Sequence, residues 1–345
     1  MEPLTFSGTG LTSVIIPNSV TNIGRSAFSG CFNLTSITFP SNFKSIEEYS
    51  FKGCNKLSSV VIHSVDSIGL WAFNQCKNLT SVTIDNVISI GEESFKECKS
   101  LASISILEGK SIGQKSFFDC TGLTSVKLPS TITSIGKWAF GGCIGLTSIS
   151  IPASLRMTGW GAFSRCSSLR SVDISDGVIG IEQYTFSGCS SLTSITIPKS
   201  VKTIESGAFK DCSGLAEVHC RGDIPAAAAA DAFDGVKVSN CRLFVPYAKS
   251  TLYKSKMVWR DFLSVTEEAP SSIKDGEQIN EPAILIEGTT ARIENALGQT
   301  IAVYNTQGVC CQFIRNAGDL ETIQLAESGI YILRIGDFRK KIVVK

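Results

Sequence analysis

Apolar residues recur along this chain at fixed offsets with polar residues between them, and nine Phe-x-x-Cys pairs mark the beat. The pairs are Phe28/Cys31, Phe51/Cys54, Phe73/Cys76, Phe95/Cys98, Phe117/Cys120, Phe140/Cys143, Phe163/Cys166, Phe186/Cys189 and Phe209/Cys212. Successive cysteines lie 23, 22, 22, 22, 23, 23, 23 and 23 residues apart. Three residues after each cysteine stands Leu (Leu34, Leu57, Leu79 and so on to Leu215), and three further on stands Ile or Val. The position two beyond that is apolar again, from Phe39 and Ile62 to Ile197 and Cys220. That last pair alternates as a short strand does, with side chains on opposite faces. Apolar residues return at Ile23, Ile46, Ile68, Ile90, Ile112, Ile135, Ile181 and Ile204, before the next Phe. Phe and Cys three apart share one face of a helical turn, so each unit is expected to close through a short helical segment.

A unit of 22 or 23 residues cannot bury its apolar face alone, so the period predicts a solenoid. The Leu-x-x-Leu-x-Leu pattern makes it a leucine-rich-repeat solenoid, with a parallel sheet on the concave face and turns or short helical segments on the convex face. Leu11–Pro17 adds one strand before the first cysteine, so about ten parallel strands are expected, ~4.8 Å apart. The three units that begin at Cys54, Cys76 and Cys98 lack one residue and also lack the Pro that follows the strand at Pro40, Pro129, Pro152 and Pro198. Their turn is expected to be shortened and their strand intact. Thr158 stands where Ile is expected, with Trp160 beside it, and marks a local irregularity.

Residues 1–265 are read as the solenoid, with 221–265 as its C-terminal cap, because there the period fades and Phe233, Phe244, Tyr253, Trp259 and Phe262 gather. The polar, Pro-containing stretch 266–282 reads as a linker. Short β-rich runs at 283–345, punctuated by Asn305, Gly308, Gly318, Gly329 and Gly336, predict a small all-β sandwich. The first strand has no cap before it, which leads us to expect further chain upstream.

Charge narrows the function classes. Lys and Arg total 32 against 31 Asp and Glu, which gives no field to steer the protein to nucleic acid. No apolar run approaches the ~18 residues of a spanning helix. Nine of the 13 cysteines occupy one repeating position beside a Phe, as small buried hydrophobes with a weak S–H donor. No Cys/His cluster has metal-ligand spacing, so no metal or other cofactor is expected. Only two histidines, His63 and His219, are present, and there is no nucleophile elbow or phosphate loop, so no enzyme is expected.

Function would then sit on the exposed strand positions. The residue before the Ile/Val of each strand is Ser in nine consecutive units, from Ser13 to Ser194, while the residue after it varies. Charge gathers late in that variable surface. The candidate ligand-binding residues are therefore Lys127, Ser148, Ser150, Arg170, Asp173, Thr196, Glu217 and His219. Arg221-Gly222-Asp223, an integrin-type tripeptide at the start of the cap, is a weaker candidate.

The unit seen nearly whole from Gly188 to Phe209 resembles the BspA-like leucine-rich-repeat family, as does the cap run Leu-Phe-Val-Pro-Tyr that begins at Leu243. The last 60 or so residues look like a type IX secretion sorting tail, through Val303-Tyr304-Asn305-Thr306-Gln307-Gly308 and Ser328-Gly329-Ile330-Tyr331-Ile332. The resemblance implies a non-enzymatic bacterial protein, secreted or at the cell surface, that adheres to host matrix proteins or other cells. Its partner would be a protein or glycan on those cells, and the alternative is a structural spacer with no specific partner. Met1-Glu2-Pro3 opens without a signal peptide, which such a protein is expected to have lost on export.

Overall fold

The structure, a computed structural model, describes residues 1–268, 283–287, 289–294, 301–305, 310–314, 320–325, 329–335 and 338–344. The chain forms two compact units, Met1–Pro270 and Ser271–Lys345.

The first unit is a parallel-strand solenoid. Twelve strands succeed one another: Ser13–Ile15, Ser36–Thr38, Ser59–Ile68, Ser81–Ile90, Ser103–Ile112, Ser125–Lys127, Ser148–Ile151, Ser171–Ile174, Ser194–Ile197, Glu217–Cys220, Arg242–Pro246 and Ser264–Glu268. Their register equals the sequence repeat, as in Ser59↔Ser81, Ser81↔Ser103 and Ser103↔Ser125, so equivalent residues stack. Every Leu, Ile/Val, Phe and Cys column thereby faces its own kind, and nearly all are buried. Two strands exceed the expected ten. The last two lie inside the region read as an irregular cap, yet Leu243 pairs with Val218 and Val265 with Leu243 in the same parallel register.

A second column of short strands runs alongside, from Asn22–Ile23 to Ala227–Ala228, and carries the recurring Ile. In the three 22-residue units the two columns merge into ten-residue strands, such as Ser59–Ile68. With one residue fewer the turn vanishes, and without Pro each residue keeps the N–H that a ladder needs. The unit from Cys166 lacks Pro but keeps its full length, and its strands Ser171–Ile174 and Gly180–Ile181 stay separate.

The expected short helical segment is absent. The residues two before and two after each Phe adopt left-handed φ, as at Ser26 (55°) and Gly30 (71°), or Trp71 (57°) and Gln75 (60°). Alternate N–H groups then point to the next unit: Ser26 to Glu48 O (2.9 Å), Phe28 to Ser50 O (2.8 Å) and Gly30 to Lys52 O (2.8 Å). Intervening residues close tight turns within the unit, as Cys31 N does to Phe28 O at 3.1 Å. The segment is thus tied to its neighbour as a strand would be, where a helix would bond to itself.

This geometry aligns the rings. Phe6 through Phe233 form one column of near-parallel phenylalanines, with centroids 5.0–5.8 Å apart wherever adjacent units meet. Phe6 and Phe233 lack the paired Cys but extend the column at both ends. Each ladder thiol donates to the carbonyl of the Phe one unit back, as Cys120 Sγ does to Phe95 O (3.1 Å) and Cys166 Sγ to Phe140 O (3.3 Å). Cysteine fits because it is small, apolar and still satisfies that buried carbonyl. All ladder cysteines are free, and so are Cys220 and Cys241.

Trp259, Tyr253 and Phe262 pack edge-on or stacked against one another and Phe233, which closes the end of the column. Trp259 Nε1 donates to Ala226 O (2.7 Å) and Tyr253 Oη to Gly222 O (2.8 Å). The linker expected at 266–282 overlaps the final strand as far as Glu268; 269–282 lie outside the described residues.

The second unit is the small all-β sandwich. One antiparallel sheet holds Ala283–Glu287, Thr290–Glu294 and Leu320–Gln324. The other holds Cys310–Ile314, Ile301–Tyr304, Gly329–Ile335 and Phe338–Val344. Ala291, Ile293 and Ile323 of the first meet Ile301, Val303, Leu333 and Ile342 of the second in one core.

Candidate functional site

On the four-residue strands Ser148–Ile151, Ser171–Ile174 and Ser194–Ile197 burial alternates strictly, so the Ser column and the variable column both face solvent there. A third polar column flanks them and is internally satisfied: Thr35 Oγ1 donates to Thr12 O (2.8 Å) and Thr80 Oγ1 to Ser58 O (2.9 Å). Arg170 occupies this hydroxyl column, with its backbone N–H on Thr147 O at 2.9 Å and its side chain exposed.

The structure brings several of the candidate residues together. Ser148 lies opposite Ser125 and Ser171, and Ser150 opposite Asp173. Ser150 Oγ donates to Asp173 Oδ2 at 3.0 Å. Lys127, on Ser125–Lys127, is the variable-column residue of the unit before Ser150 and is exposed. Lys127, Ser150 and Asp173 therefore form one row across three consecutive units. Thr196 follows in the same column and sits opposite His219.

Glu217 and His219 belong to a different arrangement. The His219 ring stacks on Phe244 (centroids 4.3 Å, planes within 2°), while its Nδ1 meets Glu268 Oε1 at 2.8 Å and its Nε2 meets Glu217 Oε2 at 3.3 Å. Arg221 pairs with Glu268, and Arg242 with Glu217. This cluster ties the last ordinary strand to the two cap strands. Its charges are turned toward one another.

Arg221-Gly222-Asp223 is fastened to the same cap. Arg221 is held by Glu268, Gly222 O accepts the Tyr253 hydroxyl, and Asp223 lies 3.6 Å from Lys249. Asp223 keeps most of its side chain in solvent, but the backbone is no free loop tip.

A second surface escaped the sequence argument. On the turn face, Phe118, Trp138, Trp160 and Tyr184 form a half-buried row, each ring meeting the next edge-on at 5.5–6.2 Å. Arg165 covers Phe118 and Trp138, and Lys137 lies 5.7 Å from the Trp160 ring. The sequence signal was the Thr158/Trp160 irregularity. Among the described residues no group of three or more His, Cys, Asp or Glu is placed to hold a metal ion. Among the described residues no helix is long and apolar enough to cross a membrane.

A family model described as a BspA-type leucine-rich repeat region, in six copies, matches residues 1–120 and 110–236. No curated protein matches significantly. Among solved structures, a leucine-rich repeat protein from Bacteroides ovatus is 22% identical over 77% of this chain and 86% of its own, with a TM-score of 0.37. A leucine-rich cell surface protein from Faecalibacterium prausnitzii is 23% identical over 79% and 83%, with a TM-score of 0.36. The pneumococcal vaccine antigen PcpA is 18% identical over 77% and 70%, with a TM-score of 0.41.

Proposed function

The chain belongs to the BspA-type leucine-rich-repeat family, and from that premise we propose that it is an extracellular or surface protein of a bacterium that adheres, through its exposed strand face, to a host matrix protein or to another cell. The family and fold are typically those of non-enzymatic binding or scaffold proteins. One observation carries the proposal: a uniform serine floor bears a row of differing side chains, and Lys127, Ser150, Arg170 and Asp173 set both charges side by side on it. Such a surface offers directional contacts to a protein partner over several units. The sorting-tail resemblance adds a proposed role in export or anchoring for the second unit.

The self-paired cluster around His219 favours a second view, a structural spacer whose charges serve only its own cap. Surface-plasmon measurements of the full chain against a panel of immobilised matrix proteins separate the two. Adhesion predicts saturable binding to at least one protein, weakened about tenfold or more by Lys127→Ala, Arg170→Ala and Asp173→Ala combined (~1.4 kcal/mol per tenfold). Binding to none of the panel leaves the spacer, and binding indifferent to the triple substitution overturns the strand face as the adhesive surface.

A further inference from the structure

The second strand column is broken at one place. Elsewhere along it, each unit's N–H groups donate to the unit before, as Thr133 N does to Lys110 O (2.9 Å) and Gly136 N to Ile112 O (2.7 Å). Beyond the break the pattern resumes, with Lys202 N on Ile179 O (2.8 Å) and Glu205 N on Ile181 O (2.9 Å). Among the described residues, no backbone hydrogen bond joins 133–136 to 156–159, and Ser134–Ile135 pairs only on its other side. The backbones nevertheless stay close, since a Cβ added to Gly159 would lie 2.4 Å from Ile135 O, as one on Gly91 would lie 2.5 Å from Ile68 O.

Thr158 accounts for the break. Its hydroxyl accepts the Glu182 N–H (2.9 Å), which in other units goes to a backbone carbonyl, and it pairs with the Thr185 hydroxyl (2.9 Å). Both bonds draw residue 158 toward the following unit and away from the preceding one. Beside this break lies a groove of about 430 Å³, bounded by Lys137, Arg156, Trp160 and Glu182. The Ser154 hydroxyl, also on its wall, is buried without a partner. Burial raises the Glu182 carboxyl above its ordinary range, Glu205 adds to this, and Lys137 opposes it.

We propose that this groove binds an acidic oligosaccharide, with a sugar ring against Trp160, its hydroxyls on Glu182, and its carboxylate on Arg156 and Lys137. A half-exposed indole presents a negative π face to the polarised C–H bonds of a sugar. A carboxylate on the groove wall suits a ligand rich in hydroxyls. Two cations beside one carboxylate favour a negatively charged ligand. The site lies on the turn side and stands apart from the strand-face proposal.

Calorimetric titration of the full chain with a hyaluronan hexasaccharide, and with neutral cellohexaose as control, tests it. The acidic sugar should bind at least tenfold more tightly. Trp160→Ala should lose at least tenfold, and Arg156→Ala should reduce the preference for the acidic sugar. Thr158→Ile with Thr185→Ala installs the residues most units carry, and should close the groove and abolish binding without lowering the denaturation midpoint. Failure of both sugars to bind, equal affinity for the two, or affinity unchanged by Trp160→Ala would overturn the proposal.

Discussion

Two residue types give each unit its cohesion. Phe117 is wholly buried between Phe95 and Phe140, with centroids 5.2 and 5.1 Å away, so Phe117→Ala opens a cavity facing two neighbours. That substitution should cost ~3–5 kcal/mol, and near-normal denaturant stability would show that the column is not core. The thiols make the solenoid sensitive to alkali. Burial pushes Cys54, Cys166 and Cys212 from an ordinary 9.0 up to about 12. Above pH 9 the unfolded chain releases these protons while the folded one keeps them, so stability is full below that point and falls as pH rises toward 12. The loss is on the order of 1 kcal/mol per thiol per pH unit. Denaturant midpoints should therefore fall steeply between pH 9 and 10.5, and Cys166→Ala should flatten the slope by about one proton. An identical slope in that variant would count against the buried thiol.

At the scale of elements, the strand columns were legible because parallel stacking repeats one pattern, and Leu, Ile, Phe and Cys each return to the same place in every unit. The merging of two strands in the 22-residue units was legible in part. The missing Pro indicated a shortened turn, and the structure removes the turn altogether. The convex segment was misread for a definite reason: Phe-x-x-Cys spacing fits a helical turn and a paired left-handed turn equally well, and φ at Tyr49 or Trp71 leaves no mark in a side-chain pattern. Those left-handed positions tolerate Glu, Lys, Trp and Tyr alike, and only Trp138 and Tyr184 of the aromatic row occupy them, so the row showed no period. The two cap strands were missed because Arg242–Pro246 and Ser264–Glu268 keep the register but drop the flanking Leu and Cys. Of the strand-face candidates, Lys127, Ser150 and Asp173 share a row, whereas Glu217, His219 and Arg221 turned inward on partners (Glu268 and Arg242) that lie 25 or more residues away in the chain. Long-range pairing of that kind carries no local signature.

For the whole molecule, the two units differ in the physics of their cores. In the solenoid nearly every buried side chain touches its own equivalents one unit away, and the stack is closed by Trp259 and Phe262. The sandwich instead has a separate core between two antiparallel sheets. Units with separate cores can be cut apart without either losing its packing. Residues 1–270 alone should accordingly unfold at the denaturant midpoint that the solenoid shows in the full chain. They should also keep any binding to matrix protein or acidic sugar, since every residue proposed for either surface lies before residue 186. Removing 283–345 in the producing bacterium should leave folded protein that no longer reaches the cell surface, as cell fractionation with an antibody to the solenoid would show. Normal surface display of the truncated chain would refute the sorting role, and the sandwich would then stand as a second structural or binding domain.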